Sequence, residues 1–214
     1  MKAIVIIAAG GVGRRFGAAV PKQFCKLQGR EVLLHAIDRF RRALPQATIA
    51  VVIDPSWRRL LPAGVIAADP GQTRWQSVAN ALKATAGTDA DAILVHDGAR
   101  PLVTPEVING VVGALAEHQG AIPVVAVTDS LRRIDGSPAD RSQFRAVQTP
   151  QAFRADLLRR AYELPYSESF TDDASVMTAA GFTDIAQTPG DPCNIKITNP
   201  LDLQIAEVIL RNNS

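Results

Sequence analysis

Hydrophobic and polar positions alternate in blocks through the first 130 residues. Ala3–Ile7 is a short apolar run rich in β-branched residues, the pattern of a buried strand. Thr48–Ile53 and Ala92–Val95 repeat it, Gly64–Ala68 does so more weakly, and Ala121–Val127 does so with an interruption at Pro123. Between them, Val32–Ala43, Arg74–Ala84 and Glu106–His118 carry helical spacing. Thr104-Pro105-Glu106 reads as a helix start, with a capping hydroxyl, a proline in the first turn and an acid near the positive dipole end. Strands alternating with helices predict an α/β, Rossmann-like fold: a mainly parallel twisted sheet with helices on both faces. Ligands of such sheets gather outside the carboxyl ends of the strands.

The alternation breaks after Val127. Thr128–Arg145 is polar and charged, with Asp135-Gly136 as a hairpin-turn candidate, and apolar segments flank it on both sides. It reads as a projecting β-arm (about 126–147) or as a surface loop. Helical signals return at Ala152–Tyr162 and Asp172–Ala180. Asn199, Pro200 and Asp202 mark the start of a last helix.

At 214 residues, 47% of them hydrophobic, the chain fits a single domain with a sizeable core. A formal net charge of +2 gives no reason to expect nucleic acid as a partner. Cys25 and Cys193 are far apart and form no metal-binding spacing, and His35, His96 and His118 are scattered. No metal site is expected from side chains, nor a Ser-His-Asp set. No leader and no run of the roughly 20 apolar residues that span a bilayer is evident. The expectation is a reduced, cytoplasmic protein with no membrane partner.

The chemistry concentrates where the predicted strands end. After the first comes Ala8-Ala9-Gly10-Gly11-Val12-Gly13-Arg14-Arg15-Phe16-Gly17, closed by Pro21-Lys22. Glycines let backbone N–H groups face an anion, and the cations add fixed positive charge. The glycine spacing is one residue too long for a dinucleotide fingerprint, and the P-loop motif is absent. A phosphate-rich nucleotide suits the segment; the bland alternative is a glycine-rich turn with no ligand. Asp97 and Arg100 follow the strand Ala92–Val95, either facing a substrate or bridging one another, and His96 reads as a packing residue. Gly71–Ser77 opens a helix, with Thr73 suited to cap it or its backbone to read a base. Lys196 lies in a short predicted strand, Asn194–Thr198, and taken alone reads as a surface lysine. Asp172-Asp173 reads as a helix start rather than a metal pair.

Together these segments resemble one family, the 2-C-methyl-D-erythritol 4-phosphate cytidylyltransferases. The pieces are AAGGVGRRFG and PKQF, HDGARP, DRSQFRAVQTPQAF, TDDAS and NIKITNPLDLQIAE, in the family's order across nearly the whole chain. The chain departs modestly, with Gly10-Gly11 where Ala-Gly is frequent, Gly98 where alanine is frequent, and Gln72 where Asp is. The resemblance implies transfer of a cytidylyl group from CTP to methylerythritol phosphate with release of pyrophosphate, using Mg²⁺ bound chiefly through the CTP phosphates. It implies that Ala9, Gly10, Gly11, Gly13, Gly71, Gln72, Ser77 and Gly98 form the nucleotide site. Arg15, Lys22, Lys196 and Asp97 are implied as catalytic. Arg100, Ser130, Arg141, Thr149 and Thr171 are implied to face the polyol phosphate. It further implies a homodimer in which the arm pairs with a second subunit and Arg141 acts across the interface. Ribitol 5-phosphate cytidylyltransferases share several of these segments, and a non-catalytic CTP-binding regulator would keep the fold; both remain alternatives.

Overall fold

The computed structural model describes residues 1–11 and 20–212. Gly13, Arg14, Arg15 and Gly17 lie outside the described residues. The strands, in chain order, are β1 (Ala3–Ala8), β2 (Lys26–Leu27), β3 (Arg30–Glu31), β4 (Thr48–Val52), β5 (Ile66–Ala68) and β6 (Ala92–Asp97), then β7 (Gly120–Ala126), β8 (Leu131–Arg132), β9 (Pro138–Ala139), β10 (Arg145–Val147), β11 (Gln151–Arg154) and β12 (Ile185–Pro189). The helices are α1 (Val32–Ala43), α2 (Arg74–Ala84), α3 (Pro105–Ala114), α4 (Ala155–Ala161), α5 (Asp173–Ala179) and α6 (Pro200–Asn212).

The main sheet has eight strands, running β5-β4-β1-β6-β11-β7 with β10 and β12 also paired to β7. β5, β4, β1 and β6 are mutually parallel, and β12 is parallel to β7. Only β10 and β11 run the other way. Alternation along β1 fixes the layers. Val5 and Ile7 pack with Leu33, Ile37 and Phe40 of α1 and Val107, Ile108 and Val111 of α3. Ile4 and Ile6 pack with Val78, Ala81 and Leu82 of α2, Leu158 of α4, and Val176 and Met177 of α5. The expected α/β layering is present, and α1 and α2 keep their expected bounds.

Three expectations need correction. Ala152–Tyr162 is not one helix: Gln151–Arg154 is a strand, and helix begins only at Ala155. The reason is non-local. Ala152 and Phe153 pair with both β6 and β7, and Gly120 leaves the space that Phe153 fills, since a Cβ there would lie 2.5 Å from its ring. The strand expected to stop at Val95 runs on through His96 and Asp97, paired with Ile7 and Ala8. Asn194–Thr198 joins no sheet and is held instead by the Ile197 amide donating to the Ala99 carbonyl (2.9 Å).

The segment after Val127 contains the β8–β9 hairpin, turned at Gly136 with φ 85°. β7 and β10 are antiparallel below it, so the stretch is an arm with a paired base. β10 and β11 follow one side of β7 in succession. Between the pairs Val147–Val124 and Ala152–Ala121 that side gains two residues, at a turn containing the cis peptide Thr149–Pro150.

Candidate active site

Two adjoining cavities open where β1 and β6 end. The larger, about 380 Å³, is lined by the Ala8–Gly11 loop, by Lys22 and Gln23, by Gly71–Arg74 and Ser77, and by Asp97, Ala99 and Lys196. The second, about 310 Å³, lies between the Val147–Thr149 turn, Gln151, Arg100 and the Thr171-Asp172 start of α5. Arg74, Asp97 and Lys196 line both. The three shared residues form the boundary between the two.

Each wall has a local cause. Glycine at position 10 lets Pro70 close on the loop, since a Cβ there would fall 2.5 Å from that of Pro70. The loop is fixed by Gln23, buried in the one-turn helix Lys22–Phe24, whose Nε2 donates to the carbonyls of Ala9 (2.7 Å) and Gly11 (2.8 Å). Gly98 does not line the cavity. Its amide donates to the Ala8 carbonyl, and its missing side chain lets it pack directly on Ala9. The turn before α2 is tied down by Ser77, whose Oγ accepts from the Gly71 amide (3.0 Å) and donates to the Thr73 carbonyl (2.9 Å). The Gln72 amide donates to Gln76 Oε1, and Thr73 caps the helix.

Asp97 is the electrostatic centre. Lys196 Nζ lies 2.7 Å from its Oδ2, Arg74 Nε 3.6 Å from Oδ1, and Arg100 Nε 3.8 Å from Oδ2. Burial pushes this carboxyl up, but the three cations outweigh it and hold it well below the usual carboxylate range. Lys196 is aimed there because Ile197 is fully buried, in a cluster with Leu27, Leu102, Ala206 and Leu210 that docks α6. Arg74 continues inward to Asp173, at 2.7 Å, whose other oxygen accepts from Tyr162. Gln151 secures the start of α5, accepting from the amides of Asp173 and Ala174 and donating to Asp172. His96 is fully buried, and burial holds its imidazole at about 4.

The structure therefore brings together Ala9, Gly10, Gly11, Gly71, Gln72, Ser77, Lys22, Asp97 and Lys196 around one cavity, and Arg100, Thr149 and Thr171 around its neighbour. Ser130 and Arg141 lie apart on the exposed arm. Arg141 donates to the Thr128 carbonyl and lines a separate hollow of about 430 Å³ with Ala126, Val127, Ser142 and Arg145. Gln23 and Arg74 were not singled out in the sequence. Gln23 stands inside the PKQF segment, and Arg74 in the Gly71–Ser77 stretch.

A cation-rimmed cleft at the carboxyl ends of parallel strands, with a second cleft sharing its floor, suits a nucleotidyltransferase, and the comparison with known families gives that class. Residues 3–212 match the family described as 2-C-methyl-D-erythritol 4-phosphate cytidylyltransferase, and the chain belongs to it. Its relatives include the protein of that name from Bacteroides thetaiotaomicron, 39% identical over 98% of this chain and 100% of that one. Another, from Rubrobacter xylanophilus, is 41% identical over 97% and 94%. The crystal structure of the Thermus thermophilus enzyme superposes with a TM-score of 0.81 at 32% identity, covering 99% of this chain and all of that one.

Proposed function

We infer that the chain transfers a cytidylyl group from CTP to 2-C-methyl-D-erythritol 4-phosphate, giving 4-diphosphocytidyl-2-C-methyl-D-erythritol and pyrophosphate in the non-mevalonate route to isoprenoid precursors. The observation that carries the residue roles is the shared floor: Arg74, Asp97 and Lys196 face both cavities, so two anionic substrates would meet over them.

CTP occupies the larger cavity. The Gly71 and Gln72 amides are already bonded within their own turn, which leaves carbonyls and the Gln72 side chain toward a base. Carbonyl acceptors suit the exocyclic amino donor of cytosine. Lys22 and Lys196, with Arg15 by family resemblance, surround the triphosphate. The acceptor lies beside Arg100, Thr149 and Thr171.

The acceptor's phosphate is ionised at neutral pH and needs no general base. One of its oxygens attacks the α-phosphorus, the bond from that phosphorus to the bridging oxygen breaks, and pyrophosphate leaves with the electron pair. What must be overcome is repulsion between two anions and charge building on the α-phosphate. Fixed cations and backbone N–H groups meet both needs through position and electrostatics.

Among the described residues no group of three His, Cys, Asp or Glu side chains could hold a metal. The larger cavity has one carboxylate, Asp97, already facing three cations. That donor set fits Mg²⁺ held mainly by phosphate oxygens, with Asp97 the residue to complete its shell. When bound, Mg²⁺ would neutralise phosphate charge.

We further assign one catalytic domain, a homodimer formed through the arm, and a cytoplasmic location. Among the described residues no helix is long and apolar enough to cross a membrane. Exposed Ile134, Phe144 and Val147 suit the arm to burial against a second subunit. Pyrophosphate release from CTP and Mg²⁺, compared with methylerythritol phosphate and with ribitol 5-phosphate, tests the reading. Release with methylerythritol phosphate supports it; preference for ribitol 5-phosphate replaces the acceptor; silence with both removes the activity.

A further inference from the structure

His96 lies at the end of β6, fully buried, with its ring edge-on to Phe40 at 4.9 Å. Packing alone would be served by a phenylalanine, but both ring nitrogens have polar partners. Nε2 is 3.0 Å from the carbonyl oxygen of Arg100, and Nδ1 is 3.2 Å from Oγ1 of Thr149. A carbonyl oxygen can only accept, so Nε2 carries the hydrogen. In the neutral ring Nδ1 is then a bare lone pair. It can only accept, and Thr149 must donate to it. The same Thr149 oxygen accepts the Asp97 backbone N–H at 3.0 Å.

A hydroxyl has one hydrogen and two lone pairs. On Thr149 the hydrogen is committed to His96 and one lone pair to Asp97. What remains for a ligand is one lone pair, on a residue that lines the second cavity. A lone pair attracts a donor and repels a phosphate oxygen.

We propose that His96 is a positioning residue that commits the Thr149 hydroxyl to accepting, so that Thr149 receives a hydroxyl of the acceptor polyol and not an oxygen of its phosphate. The proposal rests on the acceptor reading above. It divides the labour of the second cavity: the phosphate is left to cations, and Thr149 recognises the carbon chain. The relay also holds the Asp97 amide, so one buried imidazole orders both Thr149 and the backbone of the residue that Lys196 contacts.

The test has two parts. In ¹⁵N spectra of the ligand-free protein near neutral pH, His96 is expected as the Nε2–H tautomer with an unprotonated Nδ1; an Nδ1–H tautomer overturns the proposal. Steady-state kinetics with methylerythritol phosphate then compare two variants. In His96→Asn the side-chain carbonyl can stand in for Nδ1 and keep the bond from Thr149. In His96→Gln the amide reaches toward Arg100 and loses it. The Gln variant is expected to raise the acceptor KM about tenfold, the scale of one hydrogen bond. Its CTP KM should stay within about twofold, and the Asn variant should keep an acceptor KM near that of the parent. Equal effects of the two variants, or parallel rises in both KM values, would mean a merely structural histidine. If the parent protein releases no pyrophosphate with methylerythritol phosphate, the acceptor reading fails, and the imidazole spectrum still decides whether the relay exists.

Discussion

Lys196 Nζ sits 2.7 Å from Oδ2 of Asp97, although 99 residues separate them, and this contact forms the floor shared by the two cavities. Asp97 retains Arg74 and Arg100 if the lysine is removed, so the carboxylate is never left without a cation. Lys196→Ala should therefore fold normally and lose turnover by roughly a hundredfold, the scale of a lost electrostatic stabiliser. Lys22→Ala should behave alike. Pyrophosphate release at saturating CTP, beside a thermal melt, checks both. A rate near that of the parent takes the lysine concerned out of the catalytic set.

Gln23 acts one step away from any ligand. Its amide holds the Ala9 and Gly11 carbonyls, and thereby the direction in which the neighbouring N–H groups point. Gln23→Ala should raise the CTP KM about tenfold, the effect of one or two buried hydrogen bonds, and leave the acceptor KM nearly unchanged. Gln23→Glu should be worse, because a carboxylate would face two carbonyl oxygens. An alanine variant with normal CTP binding would show that the loop holds its shape unaided.

The buried ion pair of Arg74 and Asp173 gives a prediction about stability. Asp173 is wholly inaccessible, and burial pushes the Arg74 guanidinium down less than Asp173 and Asp97 raise it. Asp173→Ala would leave the half-buried Arg74 with Asp97 alone, at 3.6 Å, and the Tyr162 hydroxyl without its acceptor, and should cost about 2–3 kcal/mol. Urea unfolding at pH 7 measures it. A loss under about 1 kcal/mol, as for an exposed pair, would mean that water reaches Arg74 freely.

Acid should weaken the fold through His96. The native imidazole stays neutral down to about 4, against an ordinary 6.5, because it is buried. Between those values the unfolded chain takes up a proton that the native protein refuses. Stability is thus complete above about 6.5 and declines as pH falls toward 4, by on the order of 3 kcal/mol. Asp97 acts in the same direction at lower pH, since its native carboxyl is held down and its contribution is lost on acidification. Urea midpoints from pH 7 to 4.5 should fall for the parent and flatten in His96→Asn. An identical slope in the two would assign the acid sensitivity to other groups.

What could be read from sequence divides along the range of the interactions. α2 was legible because its cap, Thr73, lies in the same stretch as its apolar positions. The glycine loop and the HDGARP turn were legible because each is contiguous. Ala152–Tyr162 misled because its spacing is helical, whereas Phe153 is held by strands on both sides through partners, Ile93 and Gly120, that lie more than 30 residues earlier in the chain. Gln23 was hidden because its partners are backbone carbonyls, which leave no residue type to recognise. Arg74 was hidden because its partner Asp173 is 99 residues away.

The arm is where the single chain is least self-sufficient. Ile134 is fully exposed, and Phe144 and Val147 keep 45% and 41% of their surface. Arg141 lies on the same arm, outside both cavities. If the arm lies on a second subunit, those apolar groups are covered and Arg141 can reach the partner's acceptor site. The protein should then be a dimer by light scattering. Phe144→Asp should shift it toward monomer, and Arg141→Ala should leave it dimeric while mainly raising the acceptor KM. The two variants separate assembly from chemistry. A monomeric Phe144→Asp with unchanged acceptor KM would confine Arg141 to the arm, and an unchanged KM in Arg141→Ala would do so even in the dimer.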